Sequence, residues 1–452
     1  MSKLFYCVLS LFVLWGCSSE SEYLETLVQV TPDEKILEAN TNHNRWIYTQ
    51  MNDHYYWRKD IPDSASLNFA AEPSAFFKSL LSKNDRFSWC ELNSNYSGNS
   101  EQIYLPDKIG FEYQSYRDSR NQLIHQVLYV TRTNAKDAGI ERGDWVKLAK
   151  QSGSDCILEK GDINKGYFSS VGQIAVSLNS ATSATTVNNT LYMDSIYTIG
   201  NKKIGYMVYL QYEDKVDLFP AFSYFRQKGI DELILDLRYN PGGYVSTAAL
   251  LSGLIVKQTA LGKIFQLQEY NNIQGNILKK ETGDSILVEK IPSSSVVLQN
   301  NLDLDKLYVI TTSHTASASE STIIGLRPYM NVITIGETSY GKGVGSYTLQ
   351  DPRYKYQLQP ITFRYYNALH ITVPDTGLVP DYYTEETTSS QAGLGETTEP
   401  LLQTALSVIT GGTNARSSGS GIHTKASPSA QLIKVGEASF AHKYNFKNNS
   451  LK

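Results

Sequence analysis

The sequence predicts a multidomain α/β (α+β) protein, with a small helical N-terminal domain followed by a β domain and an α/β domain. Two observations support this prediction. The chain has 452 residues, more than one hydrophobic core usually holds, which favours about two to four domains. The spacing of apolar residues also changes along the chain, from a helical period to short strands and then to alternating strands and helices.

Composition and charge exclude several classes of protein. Hydrophobic residues make up 41% of the chain and charged residues 19%, which argues against a disordered chain and against a polytopic membrane protein. The formal net charge is −4 and no basic stripe is interleaved with aromatic residues, so we expect no nucleic-acid partner. The 7 histidines show no metal-binding spacing, so we predict neither a metal site nor a cofactor.

The N-terminus has the layout of a secretory signal. One lysine precedes an apolar stretch from Leu4 to Trp15, which is shorter than the roughly 20 residues of a spanning helix. The sequence LWGC resembles a bacterial lipoprotein signal covering residues 1–17, with Cys17 as the lipidated first residue of the mature chain. The alternative is a conventional cleaved signal in which Cys17 is incidental.

The resemblance to a lipoprotein signal implies an exported protein with a lipid anchor in the membrane. It would lie at the periplasmic face of the envelope or on the outer-membrane surface. The tether at 18–31 contains the acidic run SSESEYLE, which resembles the surface-export signals of some lipoproteins or is simply solvated. Cys90 and Cys156 then remain in different predicted domains, and we favour two separate buried thiols over a disulfide.

Residues 32–98 predict the helical N-terminal domain. Apolar residues recur near helical spacing from Trp46 to Tyr55, Pro62 ends the pattern, and SAFFKSLL forms a second short amphipathic segment. We interpret the aromatic residues as core packing rather than as a binding site.

Residues 99–195 predict a β domain, because IGFEY, LIHQVLYVTR and DWVKLAK are strand-like runs separated by a glycine-containing turn. Their order resembles a PDZ domain, in which a glycine-containing loop binds a peptide carboxylate through its amides and the peptide adds a strand to the sheet. Ile109, Gly110 and Phe111 match that loop. The usual second glycine pair is missing and residues 151–190 are longer than expected, so another small β domain remains the alternative.

Residues 196–411 predict the α/β domain. The strands IGYMVYL, ELILDLR, LYVITT and VITIGE alternate with amphipathic segments, which favours parallel strands joined by crossover helices. Functional loops of such sheets gather at the carboxyl ends of the strands. YNPGGY, SHTASASE and TSYGKGVG each follow one of these strands, so we expect these loops to share one edge of the sheet.

These loops contain the residues for nucleophilic catalysis. Ser317 lies where a strand turns into a helix, beside unpaired amides that favour negative charge. A serine nucleophile needs a base. His314 is a candidate by residue type, but no nearby acid orients it. Lys342, between Gly341 and Gly343, is the better candidate, since burial keeps a lysine base neutral.

DLRYNPGG, TASASE and GETSYGKG resemble, in this order, the C-terminal processing peptidases, or tail-specific proteases, a family of serine-lysine endopeptidases that often contain a PDZ domain. The interval of 25 residues from Ser317 to Lys342 also matches. The resemblance implies a peptidase domain of the crotonase-like or ClpP-like type, with Ser317 as the nucleophile and Lys342 as the general base. It also implies an oxyanion hole formed by the backbone amides of Ala318 and of either Gly242 or Gly243.

One position departs from the family pattern, since Ser346 stands where a glutamine commonly helps to position the lysine. Its hydroxyl is a candidate for orienting Lys342, or activity depends on a rearrangement. We expect Glu320 to cap the helix start. We expect Asp236 and Arg238 to support the loop rather than to take part in the chemistry.

The resemblance implies polypeptide substrates, held near their C-termini by the PDZ-like domain and cleaved through an acyl-enzyme on Ser317. Two alternatives remain open: a catalytically silent or gated peptide-binding lipoprotein with the peptidase fold, and a hydrolase of non-peptide esters or amides. Residues 412–452 form a low-complexity linker and a tail, which we interpret as disordered rather than as a docking or autoinhibitory segment.

Overall fold

The computed structural model describes residues 32–92, 105–106, 108–179, 190–214, 218–351, 356–386, 392–412, 432–436 and 438–439. The predicted signal, Cys17, the tether and most of the linker and tail lie outside these residues. Of the helices in the described ranges, none combines the length and the hydropathy needed to cross a membrane.

The helices agree with the predicted apolar periods for most of the chain. They are α1 (Pro32–His54), α2 (Pro73–Ser79), α3 (Thr133–Asp137), α4 (Phe219–Lys228), α5 (Val245–Ile255), α6 (Asn272–Thr282), α7 (Ser295–Asn300), α8 (Ala318–Leu326) and α9 (Pro400–Thr410).

The strands belong to four sheets. They are β1 (Trp89–Leu92), β2 (Phe111–Arg117), β3 (Leu123–Val130), β4 (Trp145–Ser152), β5 (Asp155–Asn164), β6 (Tyr167–Ser177), β7 (Leu191–Ile199), β8 (Lys202–Tyr209), β9 (Glu232–Asp236), β10 (Ile264–Tyr270), β11 (Ile286–Lys290), β12 (Lys306–Thr311), β13 (Asn331–Gly336), β14 (Val344–Ser346), β15 (Leu349–Asp351), β16 (Tyr356–Gln359), β17 (Ile361–Tyr366), β18 (Tyr382–Tyr383) and β19 (Ile433–Val435).

The N-terminal domain packs directly on the α/β domain. Ile47 and Met51 on one face of α1 are fully buried and form a single core with Leu358 and Ile361 of the α/β domain. The expectation of a helical domain holds for α1 and α2. It is wrong for β1, which pairs with the distant strand β16, a contact that local periodicity does not reveal.

The β domain is an antiparallel sheet in the order β19-β2-β3-β4-β5-β6. The long hairpin of β5 and β6 accounts for most of residues 151–190. Strand β19 comes from the C-terminal tail, part of which therefore forms regular structure rather than the disordered segment we expected.

The α/β domain is built on a sheet in the order β18-β13-β12-β9-β8-β7, in which β8, β9, β12 and β13 are parallel as predicted. Alternate residues of β8 enter opposite cores. Met207 and Tyr209 pack with α4, α5 and α8, whereas Tyr206 and Val208 pack with α9. Covering both faces buries most residues of β8, β9 and β12, and functional loops of such sheets gather at the carboxyl ends of the strands.

A second sheet, in the order β11-β10-β17-β14, lies over α8 and forms the opposite wall of the candidate site. The sequence analysis did not predict this sheet. Its strands are short, and β10 pairs with β17, almost 100 residues later in the chain. Cys90 and Cys156 are free and buried, so the expectation of separate thiols is confirmed.

Candidate active site

Ser317 precedes α8 in a backbone conformation that is rare for a residue with a side chain. Its φ is 57° and its ψ is −114°, in a loop where strand β12 turns into the helix. Ala316 and Ala318 beside it are almost fully buried, and a Cβ on Gly242 would lie only 2.7 Å from the Cβ of Ser317. The absence of a side chain at Gly242 thus allows the loop after β9 to approach Ser317 closely.

The carboxylate of Glu320 connects the loop between β12 and α8 (residues 312–317, the serine loop) to the loop between β13 and β14 (residues 337–343, the lysine loop). One oxygen accepts hydrogen bonds from the backbone amides of Ser317, at 2.9 Å, and Lys342, at 2.8 Å. The other accepts from the amide of Gly341, at 2.7 Å, and from the hydroxyl of Ser339, at 2.5 Å. Glu320 therefore caps the start of α8, as predicted, and also holds the lysine loop, which was not predicted.

The environment of Glu320 has opposing effects on its ionisation. The side chain is fully buried, and this burial raises its pKa above the ordinary value, although the four hydrogen bonds act in the opposite direction. An ionised carboxylate can accept all four bonds, whereas a protonated one must use an oxygen as a donor.

Tyr365 of β17 makes a second connection between the two loops. Its buried hydroxyl lies 3.1 Å from the carbonyl oxygen of Ser317 and 2.9 Å from that of Lys342. Sequence reasoning missed Tyr365, because β17 reaches the site only through long-range pairing with β10 and β14.

Lys342 also contacts the N-terminal domain. Its Nζ lies 5.6 Å from the centre of the Phe87 ring, and the guanidinium of Arg86 donates to the carbonyl oxygens of Gly341 and Asp375 at 3.0 and 2.9 Å. Gly341 has a φ of 86°, and a Cβ there would lie 2.4 Å from the Asp375 oxygen. The N-terminal domain thus touches the lysine loop, whereas the sequence analysis assigned its aromatic residues to core packing alone.

The YNPGG loop presents its two glycines differently. The amide of Gly242 donates to the side-chain oxygen of Asn240 at 2.9 Å. Gly243, with a φ of 139°, lines the cleft together with Ser317 and Ala318. Its backbone amide donates to no acceptor among the described residues. A Cβ at Gly243 would lie 2.0 Å from the carbonyl oxygen of Tyr212, so only glycine fits there.

Arg238 stabilises the start of this loop through buried contacts, as predicted. Its side chain is fully buried, and its Nη2 lies 2.8 Å from Oδ2 of Asp236. The guanidinium also donates to both carboxylate oxygens of Glu399, at 2.7 and 2.9 Å. Its carbonyl oxygen accepts a hydrogen bond from Thr312 in the serine loop. Neither Asp236 nor Arg238 lines the cleft, which agrees with a structural role.

The cleft beside Ser317 has a volume of about 470 Å³. Among the described residues that line it, Lys342 is the one with a charged side chain. Gln359 of β16 donates from its side-chain amide to the Ser346 hydroxyl at 2.8 Å, so a glutamine approaches this position from a neighbouring strand. The other residues that line the cleft are Gly243, Tyr244, Val245, Ser246, Gln266, Gln268, Ala318, Ser321, Val344, Gly345, Tyr347, Thr348, Phe363 and Tyr365.

His314 lies apart from this cleft. It lines a separate cavity with Tyr239 and Glu337, and its pKa is lowered to about 3 by burial and by the charge of Lys434. The structure therefore places the alternative base away from Ser317, and the weak expectation for His314 receives no support.

The Ile109-Gly110-Phe111 loop opens strand β2. The side chains of Ile109 and Phe111 are fully buried, and the Ile109 amide donates to the carbonyl oxygen of Pro106 at 3.0 Å. That amide is therefore occupied within the chain. Gly110 has a φ of 91°, and a Cβ there would lie 2.3 Å from the side-chain oxygen of Asn134. In the described residues, no group of three or more His, Cys, Asp or Glu side chains could hold a metal ion.

Comparisons with known proteins agree with this geometry. Residues 203–384 match the sequence profile described as Peptidase family S41, and residues 42–89 match the Peptidase S41 N-terminal domain. The carboxy-terminal processing protease CtpA of Bacillus subtilis is 30% identical over 158 residues, which cover 34% of this chain and 30% of that protein.

A carboxyl-terminal-processing protease of Picosynechococcus sp. is 25% identical over 219 residues, which cover 48% of each chain. The chain thus spans about half the length, or less, of these curated relatives. A crystal structure from Bacteroides fragilis, described as an S41 protease, superimposes with a TM-score of 0.65 at 25% identity, over 81% of this chain and 97% of that one.

Proposed function

This chain belongs to peptidase family S41, and we propose that it is a serine endopeptidase of the carboxyl-terminal-processing type that cleaves polypeptides in the cell envelope. One observation carries the proposal. A single buried carboxylate, Glu320, accepts hydrogen bonds from the backbone amides of both Ser317 and Lys342 and so fixes the two loops relative to each other. Both residues line the same cleft.

In the proposed reaction, the Ser317 hydroxyl attacks the carbonyl carbon of a peptide bond. Lys342 takes the hydroxyl proton and passes it to the leaving amine, which departs as the acyl-enzyme forms. Water, deprotonated by the same lysine, then cleaves the ester and restores the serine. A lysine must be neutral to accept that proton.

The tetrahedral intermediate places negative charge on the former carbonyl oxygen. We propose that the amides of Ala318 and Gly243 bind this oxygen, because both residues line the cleft and the Gly242 amide already donates to Asn240. Each such donor typically contributes roughly 3–4 kcal/mol to the transition state.

We further propose that the β domain binds the C-terminal part of the substrate in the manner of a PDZ domain, with the edge of β2 as the binding strand. The lipid anchor at Cys17 and the location in the envelope belong to the same proposal and derive from the sequence alone. Ser346, which accepts a hydrogen bond from Gln359, is the proposed contact that orients Lys342.

The test is digestion of an unfolded protein by a chain that lacks residues 1–17, compared with its Ser317→Ala and Lys342→Ala variants. Ser223→Ala, at a half-buried position of α4 outside the cleft, is the matched control for loss of a serine hydroxyl. We expect cleavage by the parent and by the control, with no cleavage by either active-site variant, and mass spectrometry identifies the products.

Cleavage by Lys342→Ala at the parental rate would contradict the serine-lysine mechanism. If the parent cleaves no protein and yet binds peptides, the alternative of a silent or gated peptide-binding lipoprotein replaces this proposal. Cleavage of a simple ester, without cleavage of any polypeptide, would favour a hydrolase of small molecules.

A further inference from the structure

The edge of the β domain is already covered by another part of the same chain. Strand β19 pairs antiparallel with β2, and the partners are Ile433 with Arg117, Lys434 with Tyr116, and Val435 with Ser115. Without β19, β2 would be the outer strand of the sheet. We define residues 432–436 and 438–439 as the tail segment.

Further hydrogen bonds extend along β2 in the direction of the Ile109-Gly110-Phe111 loop. The side-chain amide of Gln114 lies 3.3 Å from the carbonyl oxygen of Val435 and 3.4 Å from that of Gly436. Ser439 accepts from the backbone amide of Tyr113 at 2.8 Å and donates to the carboxylate of Glu112 at 2.6 Å. The tail segment therefore runs along β2 as an added peptide strand would.

Burial distinguishes the two ends of the tail segment. Ala438 is 1% exposed and joins the core of the α/β domain, where it packs in the same cluster as Leu128 and Tyr239. Ile433, at the start of β19, is 68% exposed. The end nearer the loop is thus buried in this core, while the other end faces solvent.

Charge complementarity favours Lys434 in the middle of the segment. Lys434 lines a cavity of about 130 Å³ together with Glu337, Glu386 and His314. Burial raises the pKa of Glu337, and the positive charge of Lys434 acts against that rise, which places the two groups within electrostatic reach. A basic side chain at this position is therefore favoured over an acidic one.

We propose that the tail segment is an internal ligand of the peptide-binding edge of the β domain and competes there with polypeptide substrates. The external ligand that fits has the same chemistry: an extended peptide with a basic residue followed, four and five positions later, by two small residues such as alanine and serine. This inference rests on the proposed peptide-binding role of the β domain.

When the tail segment occupies β2, it weakens the binding of an external peptide by a factor that can be calculated. With an effective concentration on the order of 1 mM and an intrinsic Kd of about 100 μM for the segment, an external peptide binds about 10-fold more weakly than to an open edge. Release of the segment would therefore lower the substrate concentration needed for half-maximal rate and leave the chemical step unchanged.

The test measures binding rather than proteolysis, so it is independent of the catalytic proposal. The probe is the labelled peptide LIKVGEASF, which copies residues 432–440, and its binding is followed by fluorescence anisotropy. All proteins carry Ser317→Ala so that the probe stays intact. Ala438→Arg forces a large charged side chain into a fully buried position, and Ile433→Arg is the matched control on the exposed end.

We expect Ala438→Arg to bind the probe about 10-fold more tightly than the parent, with Ile433→Arg behaving like the parent. A probe with glutamate in place of the lysine that copies Lys434 should bind more weakly than the original. Val435→Pro, which removes an amide from the added strand, is a second variant in case Ala438→Arg does not fold, as judged by its thermal unfolding.

Equal binding of the probe to the parent and to the folded opened variants would overturn the proposal, because the tail segment would then not compete. Absence of binding to every variant would also overturn it and make β19 a permanent strand of the fold. Neither result affects the digestion assay with Ser317→Ala and Lys342→Ala, so failure of this inference is distinguishable from failure of the proposed peptidase activity.

Discussion

At the scale of single residues, Glu320 is the group whose replacement tests the geometry of the site most directly. Glu320→Gln keeps the size of the side chain but turns an amide group toward donors that need acceptors, and each buried unsatisfied donor costs about 1–3 kcal/mol. We expect the kcat for proteolysis to fall by about 100-fold, equivalent to about 2.7 kcal/mol, because both loops lose a common support.

Measuring kcat, KM and the free energy of unfolding for Glu320→Gln distinguishes a role in positioning the two loops from a role in stability alone. Glu232→Gln is the matched control, since its carboxylate lies 3.0 Å from the Lys202 Nζ with 12% of the side chain exposed and does not line the cleft, so kcat should stay unchanged. A role in positioning predicts a loss of kcat with little change in KM. If Glu320→Gln keeps its kcat and only unfolds more easily, Glu320 is a structural residue and not a positioning one.

At the scale of elements, the segment that leads from α2 into β1 acts on the lysine loop. Arg86→Ala removes the hydrogen bonds to the carbonyl oxygens of Gly341 and Asp375, each a charge-assisted bond of about 1.5–3 kcal/mol. We expect kcat to fall by about 3- to 10-fold, because Lys342 then occupies the productive position for less of the time.

Arg226→Ala is the control for Arg86, because Arg226 also donates to backbone carbonyl oxygens, those of Leu298 and Gln299 at 2.8 Å, but lies outside the cleft. Both variants should lose similar thermal stability, measured by calorimetry, and only Arg86→Ala should lose kcat. An equal loss of kcat in the two variants would show that the effect is general destabilisation.

The elements that sequence reasoning predicted well are those whose hydrophobic pattern is local. Strands β8, β9, β12 and β13 are continuous apolar runs because both faces are covered, and their strand-end loops meet as expected. The second sheet and Tyr365 were missed because they depend on pairing between distant strands. The positions of Ser317 and Lys342 at strand ends were sufficient to predict them. The contacts of Glu320, Arg86 and Gln359 join different elements and depend on the tertiary fold.

At the scale of the whole molecule, a buried ion pair connects helix α9 to the loops of the candidate site. Arg238 is fully buried, and the Glu399 carboxylate that meets it lies at the start of α9. Breaking such a pair typically costs about 3–5 kcal/mol, because the remaining charge is left without its partner. We therefore expect Glu399→Gln to lower the free energy of unfolding at pH 7 by about 2–4 kcal/mol.

The pH dependence of this effect has a defined sign. Burial alone would raise the pKa of Glu399, but Arg238 and the Leu402 amide hold it below its ordinary value. A lowered pKa contributes stability above the unfolded value of about 4.3, and this contribution is lost as pH falls through the folded value. Urea unfolding should thus show a constant difference between parent and Glu399→Gln from pH 7 to about 5, and a smaller one below. A difference that persists in acid would contradict the pairing.

Arg142 of the β domain contacts two residues of the α/β domain. Its guanidinium lies 2.6 Å from the Glu386 carboxylate and donates to the carbonyl oxygen of Ala392 at 2.8 Å, with only 11% of the side chain exposed. Arg142→Met keeps the aliphatic part and removes these bonds. We expect amides at the start of β4 and near Ala392 to exchange hydrogen about 10-fold faster, while amides of β8 and β9 keep their protection.

Lys160→Met is the control for Arg142, because the ion pair of Lys160 with Asp144, at 2.8 Å, lies within the β domain and is more exposed. The competing source of rigidity is the stack of Tyr129 on Tyr239, whose ring centres are 5.3 Å apart across the same interface. Faster exchange in Arg142→Met alone would show that charge holds the β domain in place. Equal exchange in both variants would assign that role to the aromatic contact, and Tyr129→Ala should then loosen the interface where Arg142→Met does not.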